Sequence, residues 1–115
     1  MKHSIGLTLA AGVETQVMVV PAGYKAEVNN MFVSNNVGNN KAVTIYWKHG
    51  HDPLHKIYIV TGYIISANNY LMFQDSMVMQ EGDSIHIATE AATAMSCIVS
   101  FDLRKESKTV AFAGE

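Results

Sequence analysis

Apolar and polar residues alternate with a period close to two along almost the whole chain, and no window sustains the i, i+3, i+4, i+7 spacing of a helix. Val13 to Val20 reads as a strand, preceded by a shorter one at Ile5 to Leu9 and ended by Pro21-Ala22-Gly23, because proline cannot donate to a ladder. The next strand runs from Tyr24 to Ser34. Within it Ala26 and Val28 share one parity while Met31 and Val33 share the other, so one extra residue is expected as a β-bulge at Asn29-Asn30. The run Asn35-Asn36-Val37-Gly38-Asn39-Asn40 is a turn. Val43, Ile45 and Trp47 then point inward, with Thr44, Tyr46 and Lys48 outward.

His49 to His55 reads as a loop, Ile57 to Val60 as a strand, Thr61-Gly62 as a break, and Tyr63-Ile64-Ile65 as a short apolar run before the Ala67-Asn68-Asn69 turn. From Tyr70 to Ile87 two apolar runs, Leu71-Met72-Phe73 and Met77-Val78-Met79, lead into a polar turn at Gln80-Glu81-Gly82-Asp83. Ile85-His86-Ile87 leaves that turn, so the stretch is expected to be a strand-turn-strand unit of one antiparallel sheet. Gly82 would supply the positive φ, and Asp83 a side-chain bond to nearby backbone. Met95 to Leu103 alternates cleanly except at Ile98, an apolar residue on the outer parity, which implies that part of that face is covered. About seven to nine short strands with turn signals between them predict an all-β fold, a single antiparallel β-sandwich or jelly-roll-like domain over residues 1–115. Segments 1–12 and 104–115 are the candidates for extended arms that add a strand to a neighbour.

Composition sharpens this. Of 115 residues, 49% are hydrophobic and only 16% charged, so surface is left for a homo-oligomer or larger assembly to cover. A net charge of −2 with no basic run offers no nucleic-acid face. No stretch approaches a membrane span. The segment MKHSIGLTLAAG is too short and too interrupted, by Gly6 and Thr8, for signal processing to be expected, and a cytoplasmic site of synthesis follows. Cys97 lies on the inward parity of its strand and reads as a small buried hydrophobe.

Candidate chemistry is sparse. His49, His51 and His55 could present imidazoles to a metal, with Asp52 as ligand or orienting group, and cyclic symmetry would gather copies of this loop. The alternative is a solvated loop with no cofactor. Ser84, His86 and Asp83 fail as a triad, since neighbours along one strand are not expected to converge. Glu81, Asp83, Asp75 and Glu90 are expected in solvent. Tyr46 and Tyr58, on the outward parity, are the candidates for a sugar- or receptor-contacting surface, whereas Trp47 belongs with the core. No enzyme is expected.

One resemblance adds to these readings. Val20-Pro21-Ala22-Gly23, the strand ending Met31-Phe32-Val33-Ser34-Asn35, Ala42-Val43-Thr44-Ile45, Ile65-Ser66-Ala67-Asn68 and Val78-Met79-Gln80-Glu81-Gly82-Asp83-Ser84-Ile85 follow one another over about residues 13–103. That progression resembles the small all-β virion proteins of tailed bacteriophages. The resemblance implies a non-enzymatic structural part: a capsid decoration (cement) protein or head-surface protein, or else a neck or tail accessory. It would be a homo-oligomer, a trimer for preference, bound to the major capsid protein or to neck and tail subunits in a virion assembled in the host cytoplasm. The histidine-rich loop from His49 to His55 departs from the tight loop of that pattern and leaves a metal-holding or receptor-touching tip open.

Overall fold

A computed structural model of the chain describes residues 2–9, 12, 14–50, 52, 55–74, 76–90 and 95–105. Nine strands carry the fold: β1 (Lys2–Leu9), β2 (Glu14–Val19), β3 (Tyr24–Asn35), β4 (Lys41–Lys48), β5 (Lys56–Ile65), β6 (Tyr70–Phe73), β7 (Met77–Met79), β8 (Ser84–Thr89) and β9 (Met95–Lys105). One sheet has the order β1-β9-β3-β6, with β7 also paired to β3; the other has the order β2-β8-β4-β5. The pairings are nested about the middle of the chain: β4 with β5, β3 with β6 and β7, β2 with β8, β1 with β9, all antiparallel. Rolling this doubled ribbon lays β9 against β3 and β8 against β4 and closes two sheets over one core. The expected all-β sandwich is therefore present, in its jelly-roll form.

The core is built from the inward parity of both sheets. Met95, Cys97, Val99 and Phe101 of β9 join Ala26, Val28, Met31 and Val33 of β3 against Val43, Ile45, Ile85 and Ile87. The bulge falls where the parity break put it. Val28 faces Phe101 and Asn30 faces Ser100, so Asn29 is the unmatched residue. This one insertion lets both Val28 and Met31 point inward, and the partner strand is divided at the same level, β7 covering Ala26–Val28 and β6 covering Met31–Ser34. Cys97 is buried, and burial pushes its thiol pKa up.

Three expectations change. The turn at 80–83 does not join neighbouring strands of one sheet, because β7 lies in one sheet and β8 in the other. Gly82 does take φ +85, and its N–H bonds the Val20 carbonyl at 2.9 Å. Thr61-Gly62 is no break: β5 runs through it, with Gly62 at φ +59 donating its N–H to Thr44 Oγ1 at 3.0 Å where the β4 register slips. Residues Lys2–Leu9, read as part of an arm, are β1, an edge strand in continuous register with β9. Of the C-terminal arm, residues 104 and 105 end β9, and 106–115 lie outside the described residues.

Candidate assembly surface

The outward side chains of the β1-β9-β3-β6 sheet fall into rows across the strands. Gly6, Ile98, Phe32 and Met72 form one row in register. Thr8, Ser96, Ser34 and Tyr70 form the next, and Ser4, Ser100 and Asn30 lie on the other side. None of these eleven positions is charged; charge begins one row further, at Lys2, Asp102 and Glu27. Ile98, at the centre, is 47% exposed, and the Phe32 ring is stacked on Tyr70 at 4.8 Å. Two open hollows flank Ile98. One of about 300 Å³ is lined by Gly6, Thr8, Ser34 and Ser96; the other, of about 230 Å³, lies against Asn30, Phe32 and Ser100. The Asn30 side-chain oxygen is buried there without a hydrogen-bond partner. The cover that Ile98 implied in the sequence is not supplied by any described part of the chain.

The outer face of the β2-β8-β4-β5 sheet is built differently. The His86 ring lies flat against Tyr46, with centroids 5.3 Å apart and planes 6° apart, and Tyr58 and the Lys56 ammonium cover the Tyr46 ring. His86 Nε2 shares a hydrogen bond with Ser84 Oγ at 2.8 Å. Its Nδ1 is 2.8 Å from Glu14 Oε2, ion-pair distance but off the line of a good hydrogen bond, and the same oxygen accepts from Lys48 Nζ at 3.2 Å. Burial holds the His86 pKa below its ordinary value, Lys48 adding to the shift. The Glu14 carboxyl is held down first by the Tyr46 hydroxyl and then by Lys48. Burial, followed by Glu14, pushes the Tyr46 hydroxyl far up.

Two readings are corrected here. Tyr46, taken as exposed, is only 3% exposed, because partners from β2 and β5 roof the outward side of β4. Ser84 and His86, dismissed as unable to converge, do meet, since residues two apart on a strand share a face. The acid beside them is Glu14 from β2 rather than Asp83. The resulting Ser–His–Glu order is that of a hydrolytic relay, yet Ser84 and His86 are each 6% exposed and the Tyr46 ring lies over the imidazole. Ser84 pairs with Val19 on one side and Lys48 on the other, within two ladders, so no free pair of N–H groups stands beside its hydroxyl to hold an oxyanion. The arrangement packs Ser84 and His86 beneath the Tyr46 ring, with only Glu14 and Lys48 reaching the surface.

Asp83, expected in solvent, is also buried, at 2% exposure, where its carboxylate accepts from the N–H groups of Gly50 and Gln80 at 2.9 and 3.0 Å. It fastens the base of the histidine loop to the inter-sheet turn, and only glycine permits the crossing: a Cβ on Gly50 would stand 2.7 Å from Gly82 C. Beyond this anchor the His49 and His55 rings are 5.4 Å apart, and Trp47 packs on His49 at 5.7 Å. His51 lies outside the described residues. Asp52 is exposed and its carbonyl accepts the His55 N–H. Among the described residues, no three His, Cys, Asp or Glu side chains gather around a point that would hold a metal ion. Of the two tyrosines read as a contact surface, Tyr58 alone is exposed, at 52%.

No protein-family model matches this chain, and no curated protein matches its sequence. Solved structures do share its fold. A subunit of the disulfide-linked pili that form Bacillus endospore appendages is 14% identical, with a TM-score of 0.57 over 93% of this chain and 88% of that one. A chain of the T13 particle of infectious bursal disease virus is 7% identical, with a TM-score of 0.53 over 93% of this chain and 36% of that one. A chain of the Gx strain of the same virus gives 10% identity and a TM-score of 0.51 over 88% and 30%. The chain thus spans about a third of the viral chains it matches. At these identities the likeness is one of fold: a β-sandwich that also occurs in a pilus chain and within viral-particle chains.

Proposed function

We propose that this chain is a non-enzymatic structural subunit of a particle, most specifically a tailed-phage virion protein seated on the head surface. There it binds the major capsid protein and copies of itself. The observation that carries the proposal is the uncharged outer face of the β1-β9-β3-β6 sheet, with Ile98 at its centre, which nothing in the described chain covers. The fold shared with pilus and viral-particle subunits supports the same reading, as does the run of turn and strand landmarks over residues 13–103. The neck or tail is the other position open to such a part. Particle images with density assigned to this chain test the placement: a copy on the head exterior is expected, and a copy at the tail tip or inside the head overturns it. A fluorophosphonate probe tests the non-enzymatic part. No labelling of Ser84 is expected, and stoichiometric labelling overturns it.

A second reading has its own observation. Tyr58 and Asp52 are exposed on the same β4–β5 end of the molecule as the paired His49 and His55 rings, which suits a receptor- or sugar-contacting tip, with or without a metal shared by His49, His51 and His55. A glycan array and metal analysis of protein purified without chelators test it. Absence of binding at millimolar sugar and of stoichiometric metal removes it.

A further inference from the structure

We infer that the uncharged face pairs with the same face of a second copy of this chain, the two related by a two-fold axis that lies across the strands between the Ile98 row and the Ser96 row. The inference rests on the assembly reading above and names its partner.

Three features of the face point to self-pairing. First, its relief is complementary to itself. The row carrying Ile98 and Phe32 is a ridge, and the adjacent row carrying Thr8, Ser96 and Ser34 floors the hollow of about 300 Å³. A two-fold axis between the rows sets each ridge over the other copy's valley, so that Ile98 of each copy enters the hollow of its partner and both contacts are made at once. Second, Gly6 has no local reason to be glycine. It sits inside an eight-residue strand without the positive φ that marks four other glycines, and a Cβ there would meet nothing closer than 3.9 Å. A glycine in a strand interior weakens it and marks a close approach by something else. Here the added atoms would stand in the hollow meant for Ile98. Third, the charges fall in the right place. The row of Lys2, Asp102 and Glu27 lies at one end of the sheet, and an axis across the strands carries it away from the Ile98 and Ser96 rows of the partner, so that these charges stay out of the contact between the rows.

The size of the contact sets its strength. Four strands about 4.8 Å apart and about six residues of roughly 3.4 Å give each copy a footprint of roughly 400 Å². That is about half of one side of a standard interface, so the pair is weak by itself, with a dissociation constant expected in the micromolar range. A cyclic trimer closed by another surface would combine with it into an even-numbered assembly.

Sedimentation of the full chain from about 10 to about 500 µM tests this. A concentration-dependent dimer, or an even-numbered assembly, is expected. Ile98→Glu should weaken pairing by at least about a hundredfold, since a two-fold contact loses the side chain twice at about tenfold each. Gly6→Val should abolish pairing as well, while a melting temperature equal to or above that of the unsubstituted chain shows that the fold is intact. Val78→Glu, on the same sheet but beyond the uncharged rows, should leave pairing unchanged. A trimer or other oligomer whose mass neither Ile98→Glu nor Gly6→Val alters overturns the two-fold contact and leaves the assembly reading standing on another surface. A chain that stays monomeric at about 500 µM overturns self-pairing outright. Density on particles then decides separately whether a different subunit covers the face.

Discussion

Outward side chains of β4 and β8 are tied into one cluster with those of β2 and β5, whereas those at the centre of β3 and β9 make lighter ties: Ser34 Oγ shares a hydrogen bond with Ser96 Oγ at 3.2 Å, and Phe32 stacks on Tyr70. On the first face Tyr46, His86, Ser84, Glu14 and Lys48 are held to one another by stacking, hydrogen bonds and an ion pair, and two of the most polar positions are nearly closed to water. On the second, Ile98 stands almost half exposed among small hydroxyl-bearing residues. A sheet face that leaves apolar area beside shallow hollows gains from meeting a surface of matching shape. On the proposed reading, the cluster around Tyr46 and His86 serves internal stability and the Ile98 face serves association, although Val19, Tyr58 and Ile64 are exposed on the β2-β8-β4-β5 sheet as well.

His86→Ala breaks the comparison most directly. It removes the Tyr46 stack and leaves the Ser84 hydroxyl without its partner, Glu14 keeping Lys48, so urea unfolding should show a loss of about 2–4 kcal/mol. Ile98→Ala on the opposite face should stay within about 0.5 kcal/mol. Equal costs would mean that the two faces do not divide the work in this way.

Acid should find the same asymmetry with a smaller effect. Burial holds the folded-state pKa of His86 below its ordinary 6.5. As pH falls through that value the unfolded chain takes up a proton that the folded chain still excludes, so stability drops. Glu14, held below its ordinary 4.5, adds a second loss as pH falls below about that point. Chemical denaturation across pH 4–7 should show the first loss in the unsubstituted chain and a shallower slope in His86→Gln. No change in slope would mean that His86 is not the buried imidazole responsible.

Smaller again is the gain at Gly6. Valine in an exposed edge strand restricts the unfolded chain and favours extended backbone, so the isolated subunit should gain about 0.5–1 kcal/mol. A substitution that stabilises the subunit while dissolving its pair would separate folding from association on this face. Val78→Glu should change stability least, within about 0.5 kcal/mol by the same measurement.

Strand positions, the core and the bulge were legible because each is local. The parity switch between Val28 and Met31 needs one extra residue and nothing else. The allocation of strands to sheets was not, since alternation looks the same in either sheet. The Gln80–Asp83 turn therefore read as a hairpin when it crosses between layers. Tyr46 was misplaced for a related reason. Its outward parity is correct, but its cover comes from Glu14, 32 positions earlier, and from Tyr58 across β5, and parity carries no information about either. The Ser84–His86 contact could have been found, because residues two apart on a strand share a face. Its acid could not, since Glu14 lies 70 positions before Ser84. Ile98 was the most informative single residue. One apolar side chain on the wrong parity marked the face on which the proposal rests.

The nested ladder also has a consequence for how the molecule is made. Of the nine described strands, β9, at the centre of the proposed association face, is synthesised after the other eight, and until it emerges β1 has no ladder and β3 lacks one of its two flanks. The midchain β4–β5 ribbon can form early, but the face that would join copies together does not exist on a nascent chain. Chains synthesised side by side would in this way present no such face to one another until β9 has emerged.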